Sequence, residues 1–198
     1  MRARINSRTL RLLKLDEGIF HEMEQEFGHP IHLFQLENRE LERLIESKIR
    51  LHLDEFAKKD TVENTNQLFD DCFLLFEIDK HYLRIEKLLS PFLESYVNRV
   101  HSNKMWRHYD FIRDNLSYVM QKLIHYKGEK QTVIVLLNTI LYEIREIIKS
   151  EENFLFPMAL NNLKDHEWAK MAKESDMIGY CFNIPSVEWK PKGKVFSI

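Results

Sequence analysis

Val133, Leu137, Ile140, Ile144 and Ile147 recur at intervals of 4, 3, 4 and 3, and the next place on that line, four residues on, is Glu151. This is the period of an α-helix that turns one face to a core. The constraint lies at its end. An ionised carboxylate on an apolar line is costly to desolvate unless it is paired or bound to a cation. Whatever this chain folds into must bring a partner to Glu151.

The rest of the chain reads as further helices. Residues 8 to 26 carry Leu12, Leu15, Ile19 and Met23 at helical spacing, and Phe27-Gly28-His29-Pro30 breaks the pattern, with Pro30 suited to the first turn of a new helix. A second helix is expected from about 30 to 58, with Leu33, Leu36, Leu41, Leu44, Ile45, Ile49 and Leu51 on its apolar face. Asp60-Thr61 opens a third, through about 90, which places Leu74, Ile78, His81, Ile85 and Leu88 inward and is expected to end at Ser90-Pro91. A polar stretch from His101 to Lys104 leads into a helix over Trp106 to Ile124, and Lys127-Gly128-Glu129 makes the turn into the striped helix. A short helix from about Asp165 to Ser175 precedes an irregular tail with Trp and Pro. Only five Gly and five Pro punctuate 198 residues, which argues against many short strands. The expected fold is all-α: an antiparallel four-helix bundle over 28–160, an additional amino-terminal helical segment over 1–27 and a tail over 161–198.

Charge narrows the function. The formal net charge is −2 with acids and bases interspersed, so there is no basic footprint for nucleic acid and no polybasic stripe for a membrane surface. No apolar run reaches the length of a membrane span, and the basic start lacks the apolar core of a signal peptide. The two cysteines, Cys72 and Cys181, form no CxxC pair and read as free thiols in a reducing compartment, so the expected location is cytoplasmic.

Two segments repeat one another: HYLRIEKLLSPFLE at 81 to 94 and IIKSEENFLFPMAL at 147 to 160. Aligned on Pro91 and Pro157, they share Glu86 and Glu152, and they set His81 against Ile147. A duplicated carboxylate-bearing helix is how bundles build metal sites from facing helices, and non-haem iron suits imidazole nitrogen with carboxylate oxygen. The candidate ligands are His29 or His32, His81, Glu86, His108, and Glu151 or Glu152. Together these are enough for two metals. The geometry is uneven: His81 and Glu86 lie five apart, about 140° around a helix, and the period favours Glu151 where the repeat favours Glu152. Each residue also has a plainer role. His29 can cap the helix that Pro30 begins, a histidine on an apolar stripe is usually a hydrogen-bonded core residue, and the glutamates can be solvated helix ends.

Several stretches carry a family resemblance: GHPIHLFQLENRELERLI at 28 to 45, DKHYLRIEKLLSPFLE at 79 to 94, KMWRHYDFIR at 104 to 113, SEENFLFPMAL at 150 to 160 and EWAKMAKESDMIGYCFNIPSVEWKP at 167 to 191. In order and content the chain resembles a bacterial hemerythrin-like (HHE cation-binding) domain, of the branch often fused to a PAS sensor and a small helical domain. The resemblance implies a bundle around a non-haem diiron site of histidines and bridging carboxylates. Such sites bind or sense O2, nitric oxide or redox state, or handle iron. By position, His29 or His32, His81, Glu86, and Glu151 or Glu152 match the ligands. In the third helix the family's WGxHDEIR puts its histidine at Tyr109, with His108 one place out of register, and a further histidine position is Ile147. No PAS domain follows Trp189, so a signal would pass to a second copy or a separate partner protein. An enzymatic use on peroxide or nitric oxide, or iron donation to damaged clusters, is the second expectation. A metal-free interaction module is the third, and it expects Glu151 paired with Arg or Lys or turned to water.

Overall fold

A computed structural model describes residues 28–93, 99–182, 189 and 191, with backbone alone over 99–105. The expected helix over 8 to 26 lies outside the described residues. Among the described residues there are helices and turns and no strand, so the all-α reading holds. Gly28 turns the chain at φ 82°, a left-handed conformation that suits glycine. His29 then caps α1, which spans 30–58. Thr61 caps α2, over 62–93, its hydroxyl accepting from the Asn64 N–H at 3.2 Å. α3 is Arg99–Ile124, α4 spans 130–162 and α5 is Asp165–Ile178.

α1 packs on α2, α2 on α3, α3 on α4, and α4 back on α1, while α5 lies against α1 and α2. The core they enclose includes Val133, Leu137, Ile140, Ile144 and Ile147 from α4, all buried as their period requires, and Ile112, Leu116, Val119 and Leu123 from α3. Both cysteines are free thiols, and both are buried. No described helix is long and apolar enough to cross a membrane.

Three π turns interrupt the α-helices, at Ile45–Ile49, Ile85–Leu89 and Glu151–Leu155. The second and third stand at the same distance before Pro91 and Pro157, so the sequence repeat is also a repeat of backbone shape. Proline lacks the N–H its helical turn needs and its ring crowds the carbonyl four residues back; a wider turn just ahead of it relieves that conflict. This is why Pro91, expected to end its helix, does not: α2 continues to Leu93, and α4 continues past Pro157 to Asn162. α3 likewise starts earlier than expected and takes in the polar residues 101 to 104.

Three residues assigned inward face out instead. After the first π turn the buried line runs Ile45, Ile49, Leu53, Phe56, which leaves Leu51 54% exposed. Leu36 is 36% exposed because Glu37 and Asn38 hold the core line between Phe34 and Leu41. Leu74 also faces out, since Leu68, Cys72 and Leu75 form the buried line that the turn at 76–77 hands to Ile78. One consequence is directly measurable. Ile140→Ala is expected to cost about 2–5 kcal/mol in denaturant unfolding, while Val135→Ala, at a side chain 52% exposed on the same helix, stays within about 0.5 kcal/mol.

Candidate functional site

The stripe on α4 delivers Glu151 fully buried, at the first residue of the third π turn. Each of the other three helices in the ring sends it one polar group. The Tyr109 hydroxyl, from α3, donates to Oε1 at 2.9 Å. His81 Nε2, from α2, lies 3.2 Å from Oε2, and Asn38 Nδ2, from α1, donates to the same oxygen at 3.2 Å. All four side chains are closed off from solvent. Phe34 meets the His81 ring edge-on at 4.9 Å and stacks on Phe156, and Tyr82 stacks on Tyr109 with centroids 4.0 Å apart. The polar groups therefore sit in aromatic walls.

The other nitrogen of His81 is equally engaged. Nδ1 lies 2.9 Å from Oε2 of Glu37, which the Arg84 guanidinium also binds, and the remaining oxygen, Oε1, accepts from the Cys181 N–H at 2.6 Å. Arg84 is sandwiched between the Phe34 and Tyr180 rings, 4.7 Å from each. Glu37 thus fixes the His81 ring from behind and ties the residues after α5 to the same cluster. Burial by itself would lower the basicity of His81, but Glu151 and Glu37 on its two sides outweigh it and raise its pKa to about 9. The Tyr109 hydroxyl is held neutral, its pKa pushed well up by burial and then by the Glu151 charge. With His81 protonated, two carboxylates face two cations, and the cluster is electrically balanced.

The three buried carboxylates among the described residues differ in one respect. Glu37 has Arg84, and Asp71 has Lys48 at 3.0 Å as well as His52 at 2.6 Å. Glu151 has neither lysine nor arginine among the described residues.

Of the sequence candidates, His81, Tyr109 and Glu151 come together, with Glu152 at the margin, where Asn38 Nδ2 reaches it at 3.4 Å and Arg39 pairs with it. The others have different surroundings. Glu86 is held by both terminal nitrogens of Arg113, at 3.0 and 2.8 Å, and Arg113 also binds Asp79. His108 points outward, its Nδ1 2.6 Å from Glu143. His29 is the cap of α1, its Nδ1 accepting from the Ile31 N–H at 3.2 Å while its ring packs on Trp168 and Trp189. His32 is half-buried, and desolvation lowers its pKa. Among the described residues no three His, Cys, Asp or Glu side chains are arranged to hold a metal ion. What converges on Glu151 is a mixed set: an imidazole nitrogen and a phenol oxygen around one carboxylate. Asn38 Oδ1 and Tyr82 Oη are buried and lack hydrogen-bond partners among the described residues.

Glu37, Asn38 and Arg84 were not among the sequence candidates, although Glu37 and Asn38 fall three and four places after Phe34 and so on its face. No known family model matches the chain, and no characterised protein matches it in sequence.

Two outcomes follow from the cluster. Because the fold raises the His81 pKa from 6.5 to about 9, the stability it contributes is complete below about pH 6.5 and is lost as pH rises to about 9. The denaturation midpoint of the metal-free protein falls over that interval, and His81→Gln flattens the fall; a wild-type midpoint that is level across it would contradict a charged His81. Arg84→Met leaves buried Glu37 with only the shared His81 as counter-charge and is expected to cost about 3–5 kcal/mol in the same measurement.

Proposed function

We propose that the chain is a hemerythrin-like antiparallel four-helix bundle that holds one non-haem metal ion, iron foremost, and through it binds or senses O2, nitric oxide or redox state. The short links at 59–61 and 125–129 support antiparallel neighbours. The observation that carries the function is Glu151: a fully buried carboxylate, on an apolar stripe, met by an imidazole and a phenol and by no lysine or arginine of the described residues. A metal-free interaction module was expected to pair it with Arg or Lys or turn it to water; among the described residues it is buried, and the basic side chain it meets is His81.

His81 Nε2, the Glu151 carboxylate and the Tyr109 oxygen would hold the ion, and Glu37 on Nδ1 would orient His81 as carboxylates behind metal-binding histidines do. When bound, the ion supplies a redox-active Lewis acid. The residues around it exclude water and fix the ligand rings. The expected role is binding rather than turnover.

A second reading has its own support. The cluster closes on itself without an ion, with His81 as the counter-charge of Glu151. Anaerobic loading with Fe(II), followed by desalting, separates the two. One iron retained per chain, with the unfolding free energy raised by about 2.7 kcal/mol when free iron is a hundred times Kd, is the expected result. A protein that keeps no iron, and whose midpoint ignores both Fe(II) and chelator, is a metal-free bundle.

A further inference from the structure

We infer that residues 179–182 form a latch that opens and closes while the bundle stays folded, baring the Cys181 thiol and wetting Glu37 and Arg84 when it opens. Its parts are a turn, a buried ion pair and one thiol, and none of them requires a bound ion. Gly179 ends α5 at φ 91° and ψ 178°, a backbone region that is essentially glycine's alone. Phe182 is the one non-glycine residue at positive φ among the described residues, at 61°. Between these two, Tyr180 lays its ring over the Arg84 guanidinium at 4.7 Å, and Cys181 donates its N–H to Glu37 Oε1 at 2.6 Å with its own side chain fully buried. The Tyr180 hydroxyl donates back to Asp176 of α5 at 2.8 Å, so the polar end of that ring is held from its own side of the contact.

The closed turn is poised rather than locked. It keeps a phenylalanine in a left-handed conformation that is strained for an L-residue, and it leaves Arg84 Nε buried without a hydrogen-bond partner among the described residues. Against these stand one charge-assisted hydrogen bond, one cation–π contact and the burial of a thiol. On opening, water replaces the Cys181 N–H on Glu37 and satisfies Arg84 Nε, so neither charged group is stranded. The bonds from Glu37 to Arg84 and to His81 lie within the bundle and are kept. The apolar layers between α1 and α4 take no part.

The test alkylates the full wild-type chain with iodoacetamide in the absence and presence of low urea and assigns each modified thiol by peptide mass. Cys72, buried in the core, is the internal reference. With the reagent slow relative to reclosing, each rate follows the population of the form that exposes the thiol. Cys181 is expected to react at a rate that low urea leaves unchanged, because little surface opens, and Cys72 at a rate that climbs with urea as global unfolding does. Ile140→Val weakens the core that the latched and open forms share: it speeds Cys72 about two- to tenfold and leaves Cys181 as it was. Gly179→Ala adds a methyl that meets nothing closer than Lys80 Cδ at 3.7 Å, so it acts through the backbone, straining the closed turn and speeding Cys181 about 5- to 150-fold. A Cys181 rate that climbs with urea alongside that of Cys72, or that rises in Ile140→Val, means the turn opens only with the bundle and overturns the inference. So does a Cys181 rate that Gly179→Ala does not raise.

Discussion

Burying Glu151 is the interaction on which the interior depends. Taking a carboxylate out of water costs several kcal/mol after relaxation, and a single hydrogen bond does not offset that. Here the offset comes from three other helices at once: Asn38 from α1, His81 from α2 and Tyr109 from α3 converge on a side chain of α4. One charge therefore couples all four members of the ring. Sliding any of them by a helical turn moves its polar group about 5.4 Å and leaves a buried donor or acceptor stranded, whereas the purely apolar layers tolerate small shifts.

The same coupling extends outward through Glu37. Its carboxylate serves His81 with one oxygen, sharing that oxygen with Arg84, and the Cys181 N–H with the other. The segment after α5 is thus bonded to the polar interior rather than merely laid over it. Trp189 packs against the His29 ring that caps α1, and Tyr180 covers the Arg84 guanidinium. A buried Arg–Glu pair is weak grounds for stability by itself. Its value here is positional: it leaves the His81 ring little freedom to rotate.

The sequence showed this interior unevenly, for physical reasons. A regular stripe such as that of α4 reports burial directly, and it placed Glu151 inside before any contact was known. Where a π turn intervenes the count slips, which is why Leu51 faces out after a correct Ile45 and Ile49. Proline was a misleading stop signal at 91 because the widened turn before it absorbs the missing N–H. The amino-terminal cap was legible, since Gly28, His29 and Pro30 each have a local job. Glu37, Asn38 and Arg84 were hidden by their chemistry: on an amphipathic helix polar residues are assigned to solvent, and only the phase from Phe34 to Leu41 betrays that two of them lie inside. His108 and Tyr109 could not be separated by motif alone; the helix phase turns the tyrosine inward and the histidine to Glu143.

Taken at face value, the repeat suggests two equivalent halves of a two-metal site. Its shared carboxylates, Glu86 and Glu152, are the ones at the margin, and each is paired with an arginine, Arg113 and Arg39 respectively. One place earlier, at the start of each π turn, stand the residues that point into the core: Ile85 in the first copy and Glu151 in the second. The symmetry of the backbone is therefore not matched by symmetry of the donors. At position ten before the proline the inequality runs the other way, with His81 in the first copy and Ile147 in the second. Across the interior the two copies thus supply one imidazole and one carboxylate, facing each other at 3.2 Å. With the phenol of Tyr109 on the other oxygen of the carboxylate, the repeat accounts for two of the polar groups at the centre of the bundle, and α1 and α3 supply Asn38 and Tyr109.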